Sequence, residues 1–148
     1  MAGQFKGLPL EISLYKKLCI IGEYMEKLVG IRGATCCDNT KVEITKYVCQ
    51  MCNEIMEKND FTPDKIVSVQ FTMTKDLNVL NPATALRTGP MKYDMSGVPL
   101  FCSQEPEIAG GMEYVIRVLF LVYKQDFCTR HNVYINGAER LRPDFFNK

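Results

Sequence analysis

Ten consecutive residues in the C-terminal half, Tyr114-Val115-Ile116-Arg117-Val118-Leu119-Phe120-Leu121-Val122-Tyr123, constrain the fold more than any other stretch. β-Branched, aromatic and leucine side chains fill both period-two faces, the pattern of a strand covered on both sides. A membrane-spanning helix needs about 20 apolar residues, so this run is a strand rather than a bilayer span. Arg117 alone interrupts it. A guanidinium keeps its proton in apolar surroundings and therefore requires an anionic partner or a path to water. An internal carboxylate, a strand crossing toward solvent and the anion of a ligand all satisfy that requirement, and the residues leave the three open.

Other elements must cover this strand. Thr40 followed by Glu43 is a capping-box signature, and Ile44, Val48, Met51 and Ile55 then recur at helical spacing, with Tyr47, Cys52 and Met56 widening the stripe. Asn59, Asp60 and Pro63 stop that helix. Val67, Val69, Phe71 and Met73 alternate with Ser68, Gln70 and Thr72, which predicts a half-buried strand. Asn81-Pro82 opens a short helix running to Arg87, and Gly89-Pro90 closes it. Short strands are expected at Val98–Cys102 and Val133–Ile135, with a helical turn from Gly137 to Leu141. Upstream, Leu8 to Val29 reads as a helix with Pro9 in its first turn and Gly22 weakening its interior, followed by the glycine-flanked run Gly30-Ile31-Arg32-Gly33-Ala34-Thr35. Strands separated by helices, then consecutive strands, give a single α+β (mixed α/β) domain.

At 148 residues one such domain buries enough surface to need no staples. The net charge of +1, without any block of like charges, argues against a nucleic-acid or membrane-surface partner held by general electrostatics. Seven cysteines without a secretory signal read as reduced thiols in a cytoplasmic protein, mostly serving as small apolar core residues. Cys49 and Cys52 fall one turn apart on the amphipathic helix with no second such pair, so core packing is the reading there rather than metal or redox chemistry. Cys36-Cys37 lacks metal-site spacing, and the single histidine, His131 beside Arg130, reads as a surface or turn residue. No nucleophile–histidine–acid pattern, phosphate loop or dinucleotide fingerprint is present. No metal and no cofactor are therefore assigned. Arg32, Arg87 and Arg142 join Arg117 as candidates for anion binding, because planar forks suit carboxylates. Each also has a plainer role: Arg32 in a loop, Arg87 at a solvated helix end, Arg142 paired with Asp144.

Five segments in register over most of the chain resemble the monofunctional bacterial chorismate mutases of the trimeric pseudo-barrel (AroH) class. They are Gly30-Ile31-Arg32-Gly33-Ala34-Thr35, Asn81-Pro82-Ala83-Thr84-Ala85-Leu86-Arg87, Cys102-Ser103-Gln104-Glu105, Gly110-Gly111 leading to Ile116-Arg117-Val118, and Val133-Tyr134-Ile135 running to Leu141-Arg142-Pro143-Asp144. The resemblance implies a mixed sheet with helices on one side, three chains enclosing a barrel-like core, and active sites in the clefts between subunits. It implies that Arg32, Arg117 and Tyr134 bind the carboxylates and ether oxygen of chorismate, while Glu105 and Cys102 hold its ring hydroxyl. Arg87, with Ala83 and Thr84, would approach from the adjacent chain. Leu100, Phe101 and Leu141 would wall the pocket and Arg142 would help to close it. The family reaction is the [3,3] rearrangement of chorismate to prephenate within one molecule, needing no protein nucleophile or cofactor. Asn81, Thr84 and Phe101 depart from the family's usual aromatic, lysine and smaller residue, which bears on substrate affinity more than on chemistry.

Family members begin close to the first glycine of the Gly30–Thr35 segment, so residues 25–148 are the expected mutase domain and 1–24 an extension. Gly22-Glu23-Tyr24 before Met25 can be encoded by GGA-GAA-TAT, which resembles a ribosome-binding site, so the extension reads either as untranslated leader or as an added helix. Mass spectrometry of the native N-terminus separates the two. Two rival functions remain at this level: a non-catalytic trimer binding an aromatic-pathway metabolite, favoured by Thr84 and Phe101, and an imine/enamine deaminase on the same trimeric scaffold, whose own motifs are not found.

Overall fold

The structure, a computed structural model, describes residues 26–125 and 129–146. Its frame is one five-stranded sheet built from β1 (Glu26–Cys36), β2 (Ile66–Met73), β3 (Leu100–Gln104), β4 (Val115–Gln125) and β5 (Val133–Ile135). The order is β3-β2-β4-β1-β5. β4 pairs antiparallel with both neighbours, whereas β2–β3 and β1–β5 are parallel, so the sheet is mixed. The long apolar run thus becomes the central strand, as its composition required.

One face of the sheet carries helix α1 (Lys41–Asn59) and the shorter α2 (Pro82–Thr88). Thr40 caps α1 by accepting the amide of Glu43, and Asp60 ends it in the left-handed region at φ 49°. The stripe Ile44, Val48, Met51 and Ile55 is wholly buried against Val29, Ile31, Val69, Phe71, Val118 and Phe120. Each such side chain contributes about 1.5–3 kcal/mol by leaving water. At Gly33, α1 packs so near β1 that a Cβ would lie 2.7 Å from Ile55 Cδ1 and 3.0 Å from the Val133 carbonyl. Cys49 and Cys52 are buried in this core, and desolvation pushes the Cys49 thiol to about 11 and that of Cys52 well above the usual value.

Asn59, read from sequence only as a helix stop, is 2% exposed and does more. Its amide nitrogen donates to the carbonyls of Ile55 and His131, and its Oδ1 accepts the His131 amide at 2.8 Å. The buried Lys124 ammonium donates to the Asn59 carbonyl, a cation at the carboxyl end of α1. The segment entering β5 is thereby fixed against the helix. His131 itself is exposed.

Four expectations need correction. Glu26–Val29 is the start of β1, not the end of a helix, and the Gly30–Thr35 run is that strand's interior; Leu8 to Met25 lie outside the described residues. The strand from Glu26 wins because Leu28 to Gly33 alternate exposed and buried along the whole edge of β4. In β2 the alternation breaks at Val67, which is 40% exposed, because the register with β4 slips between Ile66 and Ser68 and buries Ile66 instead. The third strand begins at Leu100 rather than Val98: Val98 is tucked into the core by a turn in which its amide donates to Met95 O, and Pro99 offers only its carbonyl, which accepts from the Val69 amide. Finally, among the described residues the central strand is fully covered on one face and, beyond Val115, only partly on the other. Val118, Phe120 and Val122 are buried by the helices, whereas Arg117, with 46% of its side chain exposed, and Tyr123, 46% exposed, point to the other side with half-buried Leu119 and Leu121.

Candidate active site

The functional candidates gather on that second face. Register places Ser103, Thr72, Arg117, Ala34 and Tyr134 side by side across the five strands, and Phe101, Gln70, Leu119 and Arg32 in the next row. Ala34, fully buried between Arg117 and Tyr134, carries too little bulk to separate the two longer side chains. Beyond β5, Gly137 at φ 94° turns the chain onto this face, where the short 3-10 turn Ala138–Leu141 covers Ala34 and Val115. That turn brings Leu141 and Arg142 to the two arginines.

The resulting cleft has a volume of about 440 Å³ and is lined by Arg32, Gly33, Gln70, Thr72, Arg117, Val118, Leu119, Tyr134, Leu141 and Arg142. Arg117 Nε lies 3.3 Å from Glu105 Oε1, and the same oxygen accepts the Thr72 hydroxyl at 2.6 Å. The Glu105 backbone is held just beyond β3 by donation of its amide to Met73 O. Arg117, Thr72 and Glu105 also wall a second cleft of about 530 Å³ beneath the 105–113 loop. The arginine of the central strand therefore has a partner in its own chain and stands beside open volume on both sides.

Arg142 forks onto Asp144, Nε to Oδ1 at 2.9 Å and a terminal nitrogen to Oδ2 at 2.7 Å, while its guanidinium stacks 3.7 Å from the Phe145 ring centroid. That hydrogen-bonded pairing raises the Arg142 pKa and holds the Asp144 carboxyl below its ordinary value. Arg32 makes no ion pair among the described residues, and its amide donates to Asn132 Oδ1 at 2.9 Å. Of the three arginines lining the cleft, Arg142 is forked onto a carboxylate, Arg117 meets one at 3.3 Å, and Arg32 acts on Asp144 only through space, helping to lower its pKa.

Five expected residues, Arg32, Arg117, Tyr134, Leu141 and Arg142, line the one cleft with Glu105 at its edge. The others lie elsewhere in the chain. Asn81 caps α2 by accepting the Ala83 amide, Thr84 and Arg87 are exposed on that helix, and Ala83 is buried beneath it. Leu100 and Cys102 pack toward the helix-side core, and desolvation raises the Cys102 thiol; alternation along β3 puts Cys102 on the face opposite Arg117, so within one chain it does not join Glu105. Phe101 shares the outer face but is 65% exposed among the described residues. Sequence reasoning passed over Thr72, Gln70 and Leu119. The polar alternation of β2 held the signal for the first two, but it reads equally as an ordinary solvent face.

A single α+β domain, with a mixed sheet that is helix-covered on one side and lined by arginines on the other, is the class of protein that fold and cleft define. The chain belongs to the chorismate mutase family, its residues 28–145 matching the family model "Chorismate mutase type I". It is 37% identical over 122 residues to chorismate mutase AroH of Bacillus subtilis (strain 168), covering 78% of this chain and 90% of that protein. It is 35% identical over 118 residues to chorismate mutase AroH of Thermus thermophilus, with 78% and 93% covered. Among solved structures, a chorismate mutase from Clostridium thermocellum superposes with a TM-score of 0.67 at 36% identity, covering 76% of this chain and 98% of that one.

Proposed function

We propose that this protein is a chorismate mutase that works in the cytoplasm as a homotrimer, rearranging chorismate to prephenate in clefts between subunits. The observation that carries the reading is the Arg117–Glu105 pair on an open sheet face, flanked by Arg32, Tyr134 and Arg142. In the rearrangement one C–O bond breaks as one C–C bond forms within the same molecule, so the site must fix a conformation and meet charge that develops on the ether oxygen. Arg32 and Tyr134 anchor carboxylates and hold the enolpyruvyl arm over the ring. Arg117 faces the separating oxygen with a preorganised guanidinium, and Glu105 accepts the ring hydroxyl. Arg142, already neutralised by Asp144, closes the cleft rather than adding free charge.

The remaining candidates support a site completed by a neighbour. Asn81, Ala83, Thr84 and Arg87 on α2, and Leu100, Phe101 and Cys102 on β3, do not line the cleft of their own chain. An adjacent subunit presenting α2, where Thr84 and Arg87 are exposed beside Ala83, to the Arg117 cleft brings Arg87 to the substrate. The outer sheet face supports association: Leu28 at 52%, Phe101 at 65% and Tyr123 at 46% exposure, with Leu119 and Leu121 between them, leave an apolar surface of the kind other subunits cover. Among the described residues no helix is long and apolar enough to cross a membrane.

Following the loss of chorismate absorbance in the presence of the purified chain tests the reaction, and light scattering on a sizing column tests the trimer. Turnover with a mass three times that of the chain is expected. A protein that binds chorismate without consuming it would instead be the metabolite-binding trimer.

A further inference from the structure

A carboxylate and a guanidinium frequently close into a fork with two parallel N–H···O bonds of about 2.7–2.9 Å, as Arg142 and Asp144 do. Between Glu105 and Arg117 the approach of Nε to Oε1 is 3.3 Å, longer than the bonds of such a fork. The nearer donor to the same Oε1 is the Thr72 hydroxyl at 2.6 Å. Thr72 stands directly across from Arg117 in the β2–β4 register and beside Ser103, two residues before Glu105 in β3. Its β-branch restricts χ1, so the hydroxyl is a fixed post rather than a mobile donor. Glu105 has only 13% of its side chain exposed, so it has few other positions to take.

We propose that Thr72 is a positioning residue, whose hydroxyl holds Glu105 back from forking onto Arg117 and so keeps the guanidinium and one carboxylate oxygen open to substrate. This rests on the chorismate mutase reading of the same cleft. Without the hydroxyl, the carboxylate turns onto Arg117, satisfies it internally, and spends the charge that the departing ether oxygen requires. A closed fork would have to give up one such charge-assisted bond before Arg117 could meet the ether oxygen, a cost of about 10- to 100-fold in rate.

The test is steady-state turnover of chorismate by the full chain. Thr72→Val keeps shape and β-branch but removes the donor; it is expected to lower kcat about 10- to 100-fold with KM changed less. Thr72→Ser, which restores the donor, should recover most of that loss, and Thr72→Ala, which also lacks the donor but cannot overpack, should lose a similar factor. In a Glu105→Gln background, where no ion pair can close, Thr72→Val should cost less than about twofold, since the coupling belongs to the pair. A Thr72→Val enzyme within about twofold of wild type, or one equally impaired with and without Glu105, overturns the inference while leaving the mutase reading intact. A wild-type chain without turnover overturns the reading beneath it, and the inference with it.

Discussion

Replacing Arg117 by alanine separates catalysis from folding, because the structure assigns the side chain little of the second. Its guanidinium is half-exposed and touches one carboxylate at 3.3 Å. An ion pair of that kind contributes about 0–1 kcal/mol to stability. The neighbours across the sheet, Thr72 and Ala34, belong to a face that the helix-side core does not need. A loss of about 1 kcal/mol moves Tm by roughly 2–8 °C in a domain of this size, so the variant stays folded at 25 °C. The cost to the chemistry is of another order: removing a preorganised charge donor aimed at a developing oxyanion costs about 2.7–4 kcal/mol, or roughly 100- to 1,000-fold in kcat. Initial rates of chorismate loss, with a thermal melt of the same sample, measure both. Arg117→Lys should recover little, since a point charge cannot fork between two oxygens. An Arg117→Ala protein turning over within a few-fold of wild type would refute the mechanism. So would one whose activity vanishes only because the fold does.

Three other outcomes follow from the geometry. Gly33→Ala should destabilise by about 1–3 kcal/mol in a denaturant titration, since its Cβ meets Ile55 Cδ1 and the Val133 carbonyl; Ile55→Val should restore only part, because the carbonyl stays. Iodoacetamide at pH 8 should leave Cys37, Cys49 and Cys52 unmodified in the native chain and label them in guanidinium, as burial pushes the first two thiols to about 12 and about 11 and the third well up; native labelling read by mass spectrometry would contradict it. The Asp144 carboxyl, depressed by the Arg142 fork, should titrate by NMR below its ordinary value and return toward it in Arg142→Ala. Because the folded pKa is the lower one, the stabilising effect of the pair is complete above the ordinary carboxylate pKa and is lost only as pH falls through the depressed value.

Where periodicity and capping carried the signal, the sequence determined the result by itself. Thr40, the Ile44–Ile55 stripe and Asn59-Asp60 bounded α1 to within a residue or two, Asn81-Pro82 and Gly89 bounded α2, and the Tyr114–Tyr123 run identified the strand around which the sheet is ordered. These are local properties, set by which faces must leave water and which backbone groups need partners. The motifs likewise singled out Arg32, Arg117, Tyr134, Leu141 and Arg142, which share one cleft. Tertiary structure alone decided the rest, because it depends on pairing between distant strands. The antiparallel register with β4 turned Glu26–Val29 into strand, the slip at Val67 buried Ile66 in its place, and the partial cover of the outer face of β4 left Arg117 half-exposed beside Glu105. Alternation along β3 sent Cys102 to the opposite face, and only the spatial meeting of β2, β3 and β4 brought Thr72 within hydrogen-bond reach of Glu105. No spacing within a single segment encodes such a contact, since the residues that make it are 33 positions apart along the chain.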